Sequence, residues 1–171
     1  MLITLEELED DPVRFDEAFP AGLIDYAGAG IRQVGPLHVE GIASAIEREI
    51  HIRGKLNTQV EMECARCLDQ MTQPLKRDFD LFYSPIDASP ESDELVVPKD
   101  ELELGFYSGE GLLLEEVAKE QVLLSLPMRS VCREDCKGLC PTCGINRNRE
   151  TCSCEDAVHD PRWAGLERHS K

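Results

Sequence analysis

From Ile50 to Cys64 the chain alternates without a break. Even positions read Ile50, Ile52, Gly54, Leu56, Thr58, Val60, Met62 and Cys64, while the odd positions between 49 and 63 are Glu, His, Arg, Lys, Asn, Gln, Glu and Glu. A period of two over fifteen residues is that of a half-buried antiparallel strand, with one face in a core and the other in water. Gly54 marks a bulge or a close backbone approach. Leu37, Val39, Ala43 and Ala45 predict a partner strand before it, and Leu75, Phe79, Leu81 and Tyr83 another after it. Together they read as an antiparallel meander whose second turn is "ECARCLDQ". That turn holds Cys64 and Cys67.

Two thiols on one tight turn form half of a four-thiolate zinc site, and the other halves lie downstream. Cys132, Cys136, Cys140, Cys143, Cys152 and Cys154 complete a set of eight. The start, "MLITLEELEDDPVRF", has neither the basic region nor the apolar core of a signal peptide, and no run reaches the length of a membrane span, so a cytoplasmic chain is expected. Thiols in a reducing compartment cluster for metal more often than for disulfides. "CPTCG" has the form of a zinc knuckle. Joining Cys140 and Cys143 to Cys152 and Cys154 closes a short loop at small entropic cost, which leaves Cys132 and Cys136 to join Cys64 and Cys67 and clip the tail to the sheet. A rival partition groups Cys132, Cys136, Cys140 and Cys143 on one ion and Cys64, Cys67, Cys152 and Cys154 on the other; the spacing leaves it open. Iron–sulfur ligation uses the same donors. Zn2+, one ion or two, is the expected cofactor.

The fold class predicted is α+β: an antiparallel sheet, one packed helix, and a cysteine-rich zinc-binding C-terminal appendage. The body, 1–127, contains an acidic Ser- and Pro-bearing loop at 84–100, a short strand suggested by Leu102, Leu104 and Phe106, and a helix at about 112–126. Leu113, Val117, Val122 and Leu124 spread over the apolar face of that helix, and Pro127 stops it. The tail, 128–171, ends in a short helix anchored by Trp163.

Charge divides the same way. With 18 Lys plus Arg against 34 Asp plus Glu the net charge is −16, which repels polyanions at long range. Between Met128 and Arg149 five bases (Arg129, Arg133, Lys137, Arg147, Arg149) face two acids. These cations, with Arg66 in the hairpin turn, either offset the −2 formal charge of each four-thiolate zinc site or contact RNA, and the two roles are compatible. Catalytic patterns are weak. His38, His51, His159 and His169 are scattered, no P-loop or dinucleotide-binding glycine pattern occurs, and four thiolates close the coordination position that a catalytic zinc needs. A non-enzymatic chain is expected, with no membrane and no small-molecule substrate.

In order along the chain, "LEELEDDPVRFD", "VGPLHVEG", "CARCL", "EEVAKEQVLLSLP", "CKGLCPTCGINRN" and "DPRWAGL" resemble the bacterial YceD family, known as large ribosomal RNA subunit accumulation proteins. The resemblance implies a ribosome biogenesis factor needed for processing or accumulation of large-subunit (23S) ribosomal RNA, acting by binding. Its partner would be that RNA or a pre-ribosomal particle; the local excess of Lys and Arg, rather than the resemblance, points to the region from Arg129 to Arg149 as the contact. In a second version the acidic body receives a basic ribosomal protein. A zinc-ribbon interaction module in transcription and a thiol redox sensor are the readings from other classes, and fast-reacting Cys64 and Cys67 would favour the last.

Overall fold

The computed structural model describes residues 1–26, 28–86 and 104–154. The expected loop beyond Ile86, Leu102, the terminal helix with Trp163, His159 and His169 lie outside the described residues. Two units emerge: Met1–Met62 with Thr72–Met128, and Glu63–Met71 with the chain from Arg129 onward.

The first unit is built on β5 (Glu49–Glu63). Its even positions Ile50, Ile52, Leu56, Val60 and Met62 are buried, and the intervening odd residues are exposed or half-buried. Each such aliphatic side chain taken from water contributes about 1.5–3 kcal/mol, which is what fixes the register. Antiparallel β4 (Leu37–Ile46) runs from His38 opposite Asn57 to Ile46 opposite Glu49. On the other side lies β6 (Gln70–Pro85), so the expected meander is present. Strand β6 runs through Pro85, two residues into the stretch expected to be loop.

Gly41 and Gly54 face each other across β4 and β5 with unbroken register, so Gly54 marks a close approach and not a bulge. A Cβ on Gly41 would stand 2.6 Å from Phe15 Cζ, and one on Gly54 2.9 Å from Phe79 Cζ. The facing carbonyl oxygens of Arg53 and Glu40, together with the two phenyl rings, occupy the volume that side chains at these positions would need.

Further elements lie beyond the expected ones. β1 (Leu2–Thr4) leads into α1 (Leu5–Asp10), where Thr4 and Glu7 form a capping box. β2 (Val13–Phe19) pairs with β4, and β3 (Ile31–Gln33) pairs with the far half of β5. The short strand expected at Leu104 and Phe106 is present as β7 (Leu104–Tyr107), which joins β6 in parallel and so makes the sheet mixed. Its order is β2-β4-β5-β6-β7, and β8 (Gly111–Leu113) pairs with β1 apart from it. The packed helix α2 (Leu114–Leu124) buries Leu114, Val117, Ala118, Gln121 and Val122. Arg77 of β6 donates to Gln121 Oε1 at 2.9 Å and to the Leu124 carbonyl at 3.3 Å, satisfying the open end of α2 just before Pro127. Among the described residues no helix is long and apolar enough to cross a membrane.

Candidate metal centre

All eight cysteines lie in the second unit. Their sulfurs gather as Cys64, Cys67, Cys132 and Cys136 in one group and Cys140, Cys143, Cys152 and Cys154 in another, every Sγ within 4.8 Å of the rest of its group. The rival grouping of Cys132 through Cys143 does not occur among the described residues.

Each group starts from a turn, and the two turns share one backbone pattern. In the first, Cys64 N–H donates to the Asp69 carbonyl at 2.9 Å and Leu68 N–H to the Cys64 carbonyl at 2.9 Å. In the second, Cys140 N–H donates to the Ile145 carbonyl at 2.8 Å and Gly144 N–H to the Cys140 carbonyl at 2.9 Å. The residue after the second cysteine is left-handed in both, at φ 76° for Gly144 and φ 59° for Leu68. A left-handed residue there curls the chain back, leaving successive N–H groups pointed at the first sulfur. Cys64 Sγ accordingly accepts from Arg66 N at 3.5 Å and also from Cys132 N at 3.3 Å.

The spacing of the sulfurs suits a cation. Cys67 and Cys132 are 3.7 Å apart at sulfur and Cys64 and Cys136 3.9 Å. A disulfide needs about 2.05 Å, whereas zinc–sulfur bonds of about 2.3 Å put tetrahedral sulfurs roughly 3.8 Å apart. Donor type, number and spacing therefore fit zinc. Four thiolates leave no open coordination position, so such an ion is structural.

The thiols within a group differ in how readily they ionise. In the first group Cys136 is lowered as well as Cys64: burial opposes its ionisation, but hydrogen bonds from Asn148 and the Gly138 N–H outweigh it. Burial opposes ionisation of Cys64, yet the backbone N–H groups of Arg66, Cys67 and Cys132 bring it down to about 6. N–H groups of Cys143 and Thr142 bring Cys140 to about 6. In each group a neighbour moves the other way. Cys67 has a backbone N–H from Asp69, but burial and the surrounding thiols push it up to about 12; Cys154 is pushed to about 12 by Cys143, burial and Cys140. Crowded sulfurs whose neighbours resist further ionisation are what a divalent cation relieves.

The first group is the more enclosed. Cys64, Cys67 and Cys136 are buried, with Met71 and Val131 packed on them, and Cys132 is exposed. In the second, Cys140 is buried, Cys152 and Cys154 are half-buried and Cys143 is exposed.

The expected RNA-contacting cations differ in their surroundings. Arg129 and Lys137 are exposed, and no side-chain hydrogen bond or ion pair engages them among the described residues. Arg133 donates to Asn148 Oδ1 at 2.9 Å and pairs with Asp135, Arg149 pairs with Asp69 at 2.8 Å, and Arg147 reaches Cys140 Sγ at 3.9 Å. Arg66 donates to the carbonyls of Cys136 and Glu134.

Three residues that the sequence reading did not single out complete the centre. Asn146, Asn148 and Asp69 sit among the thiols; Asn148 Nδ2 donates to Cys136 Sγ at 3.3 Å and Asn146 Nδ2 to Asp69 Oδ2 at 3.0 Å. The one available signal was the asparagine pair itself, because short amides bond nearby backbone and turns.

Residues 52–168 match the family described as "Large ribosomal RNA subunit accumulation protein YceD". Uncharacterized proteins of Mycobacterium bovis and Mycobacterium tuberculosis are 34% identical over 76% of this chain and 58% of their own length. The maize protein named "Large ribosomal RNA subunit accumulation protein YCED homolog 1, chloroplastic" is 22% identical over 82% of this chain and 55% of its own. The chain thus spans little more than half the length of the curated relatives it matches. No solved structure matches. The shared segment carries both thiol groups, and the chain belongs to the YceD family.

Proposed function

We propose that this protein is a cytoplasmic ribosome biogenesis factor that supports processing and accumulation of large-subunit (23S) ribosomal RNA, acting by binding rather than by catalysis. The observation that carries the reading is that the family match from residue 52 to 168 takes in all eight thiols. In this reading Cys64, Cys67, Cys132 and Cys136 hold one zinc and Cys140, Cys143, Cys152 and Cys154 a second. The zincs give the cysteine-rich segment one shape and so present its cations as a surface. Arg129, Arg133, Lys137, Arg147 and Arg149 meet the RNA or a pre-ribosomal particle. Arg129 and Lys137 lead, because their side chains are exposed and have no hydrogen bond or ion pair with another of the described residues. Counterion release then makes affinity fall as salt rises.

The net charge of −16 favours a second version, in which the acidic body receives a basic ribosomal protein. One experiment separates the two. Large-subunit and precursor-RNA profiles are compared in cells lacking the protein, cells restored with the native chain, and cells restored with Arg129→Glu and Lys137→Glu together. The proposal expects unprocessed precursor and a depleted large subunit in the first and third. Full rescue by the charge-reversed chain moves the working surface to the acidic body, and a normal large-subunit peak without the protein removes the function.

A further inference from the structure

The segment from Ile145 to Arg149 is bonded to both thiol groups at once. On the side of the second group, Ile145 accepts Cys140 N–H at 2.8 Å through its carbonyl, and the Arg147 guanidinium reaches Cys140 Sγ at 3.9 Å. On the side of the first group, Asn148 Nδ2 donates to Cys136 Sγ at 3.3 Å while its Oδ1 accepts Lys137 N–H at 2.9 Å. Asn146 Nδ2 and Arg149 Nη2 both donate to the Asp69 carboxylate, at 3.0 and 2.8 Å, and Asp69 Oδ2 lies 3.4 Å from Cys67 Sγ. Asn146 Oδ1 ties the two asparagines by accepting from Asn148 N and Nδ2, each at 2.9 Å. An isolated β-bridge between Leu139 and Asn146 holds the segment to the residue just before Cys140. Within four residues the chain therefore touches sulfur or flanking backbone of both groups.

We infer that the two thiol groups take up metal as a coupled pair, with Asn148 and Asp69 as the positioning residues that transmit the coupling. This rests on the zinc reading above. An ion on Cys140, Cys143, Cys152 and Cys154 fixes the 145–149 segment, because it pins the turn from which that segment leaves. Fixing the segment holds Asn148 against Cys136 and Asn146 against Asp69 before the first group is filled, so the ordering cost of those contacts is met once for two ions. Linkage makes the effect reciprocal. Hydrogen bonds to sulfur lower the charge density a thiolate presents and set its orientation, and removing such support typically costs about 10–100-fold in metal affinity.

The test is a double-mutant cycle on the full chain in chelator-buffered zinc. Amide signals of Arg66 and Leu68 report occupancy of the first group. Four chains are compared: native, Cys143→Ser, which disables the second group through its exposed thiol, Asn148→Ala, and both together. The expected result is that Cys143→Ser weakens zinc at the first group about tenfold in the native background and no more than about twofold beside Asn148→Ala. The intrinsic loss of the amide–sulfur bond appears in Asn148→Ala alone and cancels in the cycle. Equal effects of Cys143→Ser in the two backgrounds overturn the coupling. Cys154→Ser disables the same group from its other end and must agree; disagreement assigns the effect to local misfolding and also overturns it. A native chain that binds no zinc overturns the metal reading itself, whereas two zincs bound with additive effects leave that reading standing and remove only this inference.

Discussion

Gly138 offers the most direct check on how the cysteine-rich unit is built. It is left-handed at φ 71°, and a Cβ there would stand 2.9 Å from the Arg66 carbonyl oxygen and 3.4 Å from Arg66 Cβ. Gly138→Ala therefore carries two costs. Holding alanine left-handed costs about 1 kcal/mol. Displacing the Arg66 carbonyl, which accepts Leu139 N–H at 2.9 Å, adds about 2 kcal/mol of overpacking and weakened hydrogen bonding. The total of about 3 kcal/mol raises local opening on the order of a hundredfold. Gly144→Ala is the matched control, since it is left-handed at φ 76° with nothing within 4 Å of the added methyl, and should cost only the first part, about fivefold. Amide exchange at Leu139 and Cys140 in the zinc-loaded chain measures both. Equal loss of protection in the two variants would refute the contact argument, and loss below about twofold in Gly138→Ala would refute the whole assignment of strain.

Leu68 holds the position that Gly144 holds in the sister turn, left-handed and 57% exposed; Leu68→Gly should stabilise the loaded unit by about 1 kcal/mol, read as slower zinc loss to a chelator. Zinc affinity should steepen with acidity below about pH 6. Cys64 and Cys140, at about 6 against an ordinary 9, are thiolates above that point and release no proton on binding, whereas below it each must lose one. Affinity per group then falls by about an extra tenfold per pH unit, which chelator competition from pH 5 to 8 would reveal, and an unchanged slope would count against it. In the sheet, Gly41→Ala should cost at least about 2 kcal/mol through its clash with the Arg53 carbonyl oxygen and the Phe15 ring, checked by urea unfolding followed by far-ultraviolet circular dichroism.

Local periodicity made the centre of the sheet readable. Ile50 to Cys64 could bury one face only as a strand, and its neighbours showed enough alternation to be placed beside it. The same signal was present in Val13, Phe15 and Phe19 of β2, and Thr4 with Glu7 has the spacing of a capping box. These short elements are legible in hindsight from the same rules. The parallel pairing of β7 with β6 is different in kind, because two strands separated along the chain by residues 86–103 carry no local mark of their direction. For the thiols, type and spacing announce a metal centre, and proximity along the chain limits which sulfurs can meet. What spacing cannot carry is the bonding of Asp69 to Arg149 and Asn146, or of Asn148 to Cys136, since those contacts depend on how three separate turns lie against each other.

The first thiol group draws on residues far apart in sequence, which has a consequence during translation. Cys67 leaves the ribosome 65 residues ahead of Cys132, an interval of about 3 to 13 s at ordinary elongation rates of about 5–20 residues per second. Throughout that interval the hairpin turn on the nascent chain displays two sulfurs whose partners have not yet been made. The second group, by contrast, spans only fifteen residues from Cys140 to Cys154, so its ligands emerge almost together. Maturation of the first group therefore depends on the nascent thiols remaining reduced until synthesis catches up with them.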